Sequence, residues 1–142
     1  MKKKIKILTL IVAILSLTLS LGIAQKVFAD DNPIFVTITS DCCSTCQKLK
    51  PVVEDLEYEY GSQITFLTFN VSSRASLEEA KQIAEEHGIS EFFNNNKNAV
   101  PKVGILCPGG KAEKTFLGEI RKEVYEKAID ELLNDTTQLC SL

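Results

Sequence analysis

Ile34-Phe35-Val36-Thr37-Ile38-Thr39-Ser40-Asp41-Cys42-Cys43-Ser44-Thr45-Cys46 is the stretch on which the reading of this chain turns. Its first six residues are mostly apolar and β-branched, the composition of a buried central strand. Beyond it Cys46, Leu49, Val52, Val53, Leu56 and Tyr60 recur at helical spacing, which predicts a helix over residues 43–60. Cys43 and Cys46 are therefore a CxxC pair at a strand-to-helix junction. Two thiols at that spacing can close a small disulfide. The first sits at a helix N-terminus, where unpaired backbone N–H groups and the helix dipole favour a thiolate. The thiolate is the form that attacks disulfides. The placement points to redox chemistry rather than to a structural bridge.

The rest of the chain supplies matching elements. Pro51 lies inside the helix, where its ring and missing N–H predict a kink. Gly61-Ser62 is a break, and residues 64–70 read as a second strand. Ser72 to Ser76 is a polar loop. Ser76 with Glu79 resembles a capping box, opening a helix that runs to about His87 and stops at Gly88. Residues 89–98 read as a loop with a short helical turn, holding Phe92, Phe93 and an Asn-rich run. After Val100-Pro101, residues 102–107 form a third strand. Pro108-Gly109-Gly110 is a turn, and residues 111–117 return as a hairpin strand ended by Gly118. Ile120, Val124, Ala128, Ile129, Leu132 and Leu133 mark a final amphipathic helix. The order is β-α-β-α-β-β-α, an α/β fold with a central four-stranded mixed sheet flanked by helices. Alternation in the first half implies parallel strands joined by helical crossovers. The hairpin adds an antiparallel edge.

The length of 142 residues suits one domain, and residues 1–29 differ from the remainder. Lys2, Lys3, Lys4 and Lys6 form a basic start. Residues 7–25 are uncharged and mostly apolar, and Val27-Phe28-Ala29 suits a cleavage site. That is the form of a secretory signal. The apolar run is also near the length that spans a bilayer, so an uncleaved anchor is the competing reading. In both readings residues 30–142 form a domain outside the cytoplasm, in the periplasm, the cell envelope or the medium. The membrane is a partner only if the segment stays uncut. Five of the 16 basic residues and none of the 19 acidic ones lie in residues 1–29, so the remainder has a net charge of −8. Such a surface excludes nucleic acid as a partner class. Five cysteines in an exported chain invite disulfides, and the odd number leaves at least one free or paired between molecules.

Four features together resemble the thioredoxin fold over about residues 33–134. The CxxC follows the first core strand. Pro51 falls five residues after the second Cys, Val100-Pro101 opens the third strand, and Gly118 separates the last strand from the last helix. The resemblance implies a thiol–disulfide oxidoreductase that needs no cofactor. It implies Cys43 as the attacking thiol and Cys46 as the buried resolving thiol. It also implies a cis Pro101 against the disulfide, with Val100 offering its backbone to an extended substrate. Its partners would be client proteins bearing thiols or disulfides, and a further redox protein that recycles the pair. Four departures imply a more specialised exchange protein than a general thioredoxin. Cys42 stands where those proteins carry Trp. Their buried carboxylate falls at Thr37, which cannot take a proton from Cys46. Ser44-Thr45 replaces their Gly-Pro, and the link from Ile89 to Ala99 is longer.

The proposed exchange begins with attack of Cys43 on a client disulfide; Cys46 then releases the reduced client. The reverse course oxidises a client dithiol. Related couples span about −270 to about −120 mV, so potential decides the direction. Ser44 and Thr45, as hydrogen-bond donors to the thiolate, would move the couple toward oxidising. Cys42 reads either as an accessory thiol or as a plain occupant of the missing aromatic's place. Cys107 and Cys140 read either as a structural disulfide or as an inert Cys and a frayed tail. Two other function classes compete. One is Cu(I) handling by Cys42, Cys43 and Cys46, although no second metal-ligand set accompanies them and His87 reads as an ordinary helix-end residue. The other is a non-enzymatic binding module, in which Phe92-Phe93 and the Asn-rich loop select a partner or simply pack.

Overall fold

A strand at the centre of a sheet must satisfy two faces, and β1, Ile34–Thr39, does so by strict alternation. The computed structural model describes residues 32–134 and Cys140; the segment read as a signal or anchor lies outside the described residues. The other elements are α1 (Ser44–Tyr60), β2 (Thr65–Asn70), α2 (Arg74–Glu86), α3 (Ser90–Asn96), β3 (Lys102–Leu106), β4 (Ala112–Leu117) and α4 (Lys122–Asn134). The four strands form one sheet in the order β2-β1-β3-β4.

One sheet face carries Phe35, Val103 and Ile105, packed with Leu49, Val53 and Leu56 of α1 and Tyr125, Ile129 and Leu132 of α4. The other carries Ile34, Val36, Ile38 and Leu106, packed with Ala80 and Ala84 of α2 and Phe92 and Phe93 of α3. Each fully buried large side chain contributes about 1.5–3 kcal/mol relative to exposure. Aromatic edges lock both layers: Tyr125 meets Phe35 at 5.5 Å and Phe116 at 5.2 Å, and Phe69 meets Phe93 at 5.2 Å.

β1 and β2 are parallel, as a single helical crossover requires, but β3 is antiparallel to β1. Two helices, not one, separate β2 from β3. α2 carries the chain to the far end, where Gly88 lies against Gly110 of the β3–β4 turn. α3 carries it back, so β3 starts beside the end of β1.

Other expectations change in detail. α1 continues as one helix through Pro51. The capping box of α2 is Ser73 with Ser76, not Ser76 with Glu79: the Ser73 hydroxyl accepts from the Ser76 amide, and the Ser76 hydroxyl accepts from the Ser73 amide. Residues 90–96 form a helix with both phenylalanines buried, so Phe92 and Phe93 pack rather than present a partner surface. Ile120 precedes α4 and is exposed.

Candidate active site

Parallel pairing of β1 and β2 brings two strand ends and one helix start to the same edge of the sheet. The chain leaves β1 through Ser40 and Asp41, and α1 begins at Ser44. Polar side chains from the end of β2 fasten this loop. The Asp41 amide donates to Ser72 Oγ at 2.7 Å, and Asn70 Nδ2 donates to Asp41 Oδ1 at 2.7 Å. Gln47 Nε2 donates to the Asp41 carbonyl at 3.3 Å, and the Cys43 amide donates to the Ser40 carbonyl at 3.2 Å.

Cys43 and Cys46 are joined by a disulfide with Cα atoms 5.2 Å apart. Cys43 is the N-cap of α1, and its Sγ accepts the Cys46 amide at 3.1 Å. The sulfur thus takes the place of the hydroxyl or carboxylate oxygen usual at a helix start. Cys43 is half-buried, whereas Cys46 is only 4% exposed. One sulfur is reachable and the other lies behind it. Cys42 is exposed and free, in the turn just before the pair.

The Val100–Pro101 peptide bond is cis. Lys102 pairs with Ile38, which sets Pro101 level with Thr39 at the edge from which the cysteine loop departs. Pro101 is buried and Val100 half-buried. The Gly118 amide donates to the Pro101 carbonyl at 3.0 Å, with Gly118 at φ 69°, a backbone region that favours glycine. This bond draws two exposed apolar residues to the same edge, Leu117 at 65% exposure and Ile120 at 38%. Sequence reasoning did not single out Leu117 and placed Ile120 in a helix. Only the apolar residues on either side of Gly118 signalled this patch. Glu119 between them is held to about 2 by its hydrogen-bonded Arg121 guanidinium and by the amides of Arg121 and Ile120.

Behind Cys46 a groove of about 530 Å³ opens between α1 and the β1–β2 edge, with Thr37 on its wall. Thr37 is the buried polar residue of the described core. Cys107 and Cys140 lie at the opposite end of the sheet and are joined by a disulfide, Cα atoms 5.4 Å apart. His87 caps the C-terminus of α2 at that far end, away from the cysteine loop. Among the described residues no three His, Cys, Asp or Glu side chains are grouped to hold a metal ion. Among them, too, no helix is long and apolar enough to cross a membrane.

Comparison with known proteins agrees with this geometry. The family model described as Thioredoxin matches residues 22–131. The chain is similar to thioredoxin M4, chloroplastic, of Arabidopsis thaliana, with 26% identity over 108 residues that cover 76% of this chain and 48% of that protein. It is similar to a thioredoxin of Porphyra purpurea, with 24% identity over 110 residues that cover 78% of this chain and 89% of the relative. It is also similar to the thiol:disulfide interchange protein TxlA of Synechococcus elongatus, at 19% identity over 77% of this chain and 51% of that protein. The chain thus spans about half the length of two of these three relatives. Among solved structures, the germline-specific thioredoxin protein Deadhead of Drosophila melanogaster has the same fold, with a TM-score of 0.52, 17% identity, and coverage of 73% of this chain and 84% of that one.

Proposed function

The chain belongs to the thioredoxin family of disulfide oxidoreductases, and from that premise we propose that it exchanges disulfides with client proteins outside the cytoplasm. The single observation that carries the reading is the asymmetry of the pair. Cys43 is half-buried at the helix N-terminus with an N–H aimed at its sulfur, and Cys46 is buried behind it. In the reducing direction Cys43 attacks a client disulfide, one client sulfur leaves, and a mixed disulfide forms. Cys46 then attacks Cys43 Sγ, and the second client sulfur departs as a thiolate. The pair ends oxidised and the client reduced. A separate redox protein restores the dithiol.

The client lies as an extended segment across Val100, Pro101, Leu117 and Ile120. Half-buried Val100 and the two exposed apolar side chains support this placement. The location outside the cytoplasm rests on the basic start and uncharged apolar run of residues 1–29, a signal or anchor ahead of the domain at 30–142.

The test is a trap. A Cys46→Ser variant cannot complete the second step and is expected to accumulate mixed disulfides through Cys43, identified by mass spectrometry of the exported fraction. Absence of Cys43 adducts, with the variant folded, would remove the exchange reading.

A further inference from the structure

The backbone ladder between β1 and β2 ends where the Val71 amide donates to the Thr39 carbonyl at 2.9 Å. Beyond that point side chains take over the pairing. Asp41 stands two residues before the attacking cysteine, and its amide, carboxylate and carbonyl are all bonded. The amide donates to Ser72 Oγ at 2.7 Å, Oδ1 accepts from Asn70 Nδ2 at 2.7 Å, and the carbonyl accepts from Gln47 Nε2 at 3.3 Å. The partners beyond β2 are tied together, since the Ser72 amide donates to Asn70 Oδ1 at 2.8 Å. Ser72 Oγ also donates to Ser40 Oγ at 3.3 Å. Asp41 is nonetheless exposed. An exposed polar group can bond water instead, so these contacts repair no burial cost. They fix a place: one residue of the cysteine loop is held both from the end of β2 and from α1.

That place matters once the pair is reduced. In the oxidised protein the S–S bond holds Cys43 Sγ against α1. In the dithiol only the loop backbone keeps the sulfur within reach of the Cys46 N–H, 3.1 Å away here. A thiolate that drifts from the helix start loses the N–H groups and the dipole that stabilise it. The Cys43 amide donates to the Ser40 carbonyl at 3.2 Å, so the turn between them carries the anchorage of Asp41 to the sulfur.

We propose that Asp41 is a positioning residue, clamped by Asn70 and Ser72 so that Cys43 stays at the start of α1 when the pair is reduced. The inference rests on the exchange reading above. The clamp works through hydrogen bonds and not through charge, because a carboxylate near a thiolate disfavours it. The two effects have opposite signs, so variants separate them.

The test uses the purified full-length protein with Cys42→Ser, reduced, so that Cys42 does not react. The readout is the pH profile of iodoacetamide labelling at Cys43, resolved by peptide mapping. Asp41→Asn removes the charge and keeps an oxygen for Asn70 Nδ2, and its profile is expected at or below the parent's. Adding Asn70→Ala and Ser72→Ala to Asp41→Asn removes the clamp with no further change of charge. The profile is then expected to move upward by about 0.7 pH unit, a thiolate fraction about fivefold smaller, the scale of one hydrogen bond. Lys50, Glu54 and Glu57, which line the groove behind Cys46, are the same in every variant. Ser72→Ala alone with Asp41→Asn should give a smaller shift of the same sign, and it decides the matter should the triple variant fail to fold. Identical profiles with and without the clamp overturn the proposal. Slower labelling at every pH with no shift overturns it too, since the clamp would then govern access alone. The exchange reading is checked separately by 5,5′-dithiobis(2-nitrobenzoate), from which the parent should release two equivalents of coloured thiolate. Release of fewer than two sinks that reading and the proposal with it, whereas an unmoved labelling profile sinks the proposal alone.

Discussion

The backbone N–H of Cys46 points at the sulfur of Cys43, 3.1 Å away, so one member of the pair stabilises charge on the other. The same helix start leaves Cys43 reachable and Cys46 buried. After reduction, Cys43 is expected to be alkylated by iodoacetamide faster than Cys46 by about tenfold or more, because thiolate character and access control reactivity. Peptide mapping after brief labelling reads the ratio. Equal labelling would remove the assignment of attacking and resolving roles.

Gly104 sits in β3 directly beneath the ring of Phe92, and a Cβ added there would overlap that ring. Gly104→Ala is expected to cost about 1–3 kcal/mol, the usual range for an overpacked core. Urea unfolding measures it. Phe92→Leu in the same chain should recover part of the loss, because both changes act on one contact.

This contact also shows why α3 was hard to read. Seven residues are too few for a periodic pattern, and Ser90–Asn96 is held by Phe92 on Gly104 and Phe93 on Phe69, partners distant in sequence. The same stretch, read from the sequence as a loop with a short helical turn, returns the chain to the cysteine end of the sheet, so β3 runs antiparallel to β1. The capping box slipped by three residues because serines stand at both 73 and 76, and only the Ser72 amide donating to Asn70 Oδ1 marks the earlier turn. By contrast, β1, the CxxC and α1 were legible. A β-branched run, a helical repeat and a cysteine spacing are local signals. The patch at Leu117 and Ile120 was not, because exposure depends on where the Gly118–Pro101 bond holds the chain.

The disulfide between Cys107 and Cys140 closes a separation of 33 residues at the end of the sheet away from the cysteine loop. Replacing both by Ala is expected to lower stability by about 3–4 kcal/mol through the freed unfolded chain. Denaturant unfolding of the oxidised proteins checks this. The exchange rate of Cys43 at a temperature where both proteins are folded should stay within about twofold, since sites this far apart rarely couple.

Glu119 is held at about 2, against an ordinary value of 4.5, by its hydrogen bonds from Arg121 and from the Arg121 and Ile120 amides. A carboxylate with a depressed folded value stabilises the fold above its unfolded value. That contribution is fully present above pH 4.5 and is lost as pH falls toward 2. Glu119→Gln is therefore expected to melt below the parent at pH 7, and the gap should close over this acid window. A gap that stays constant to pH 2 would contradict the assignment.

The most direct measurement for the account is the reduction potential of the Cys43–Cys46 couple, equilibrated against glutathione in the purified protein. A redox-active pair is expected to titrate as a two-electron couple between about −270 and about −120 mV. A pair that stays oxidised below about −300 mV behaves as a structural disulfide, and that result would contradict the exchange function.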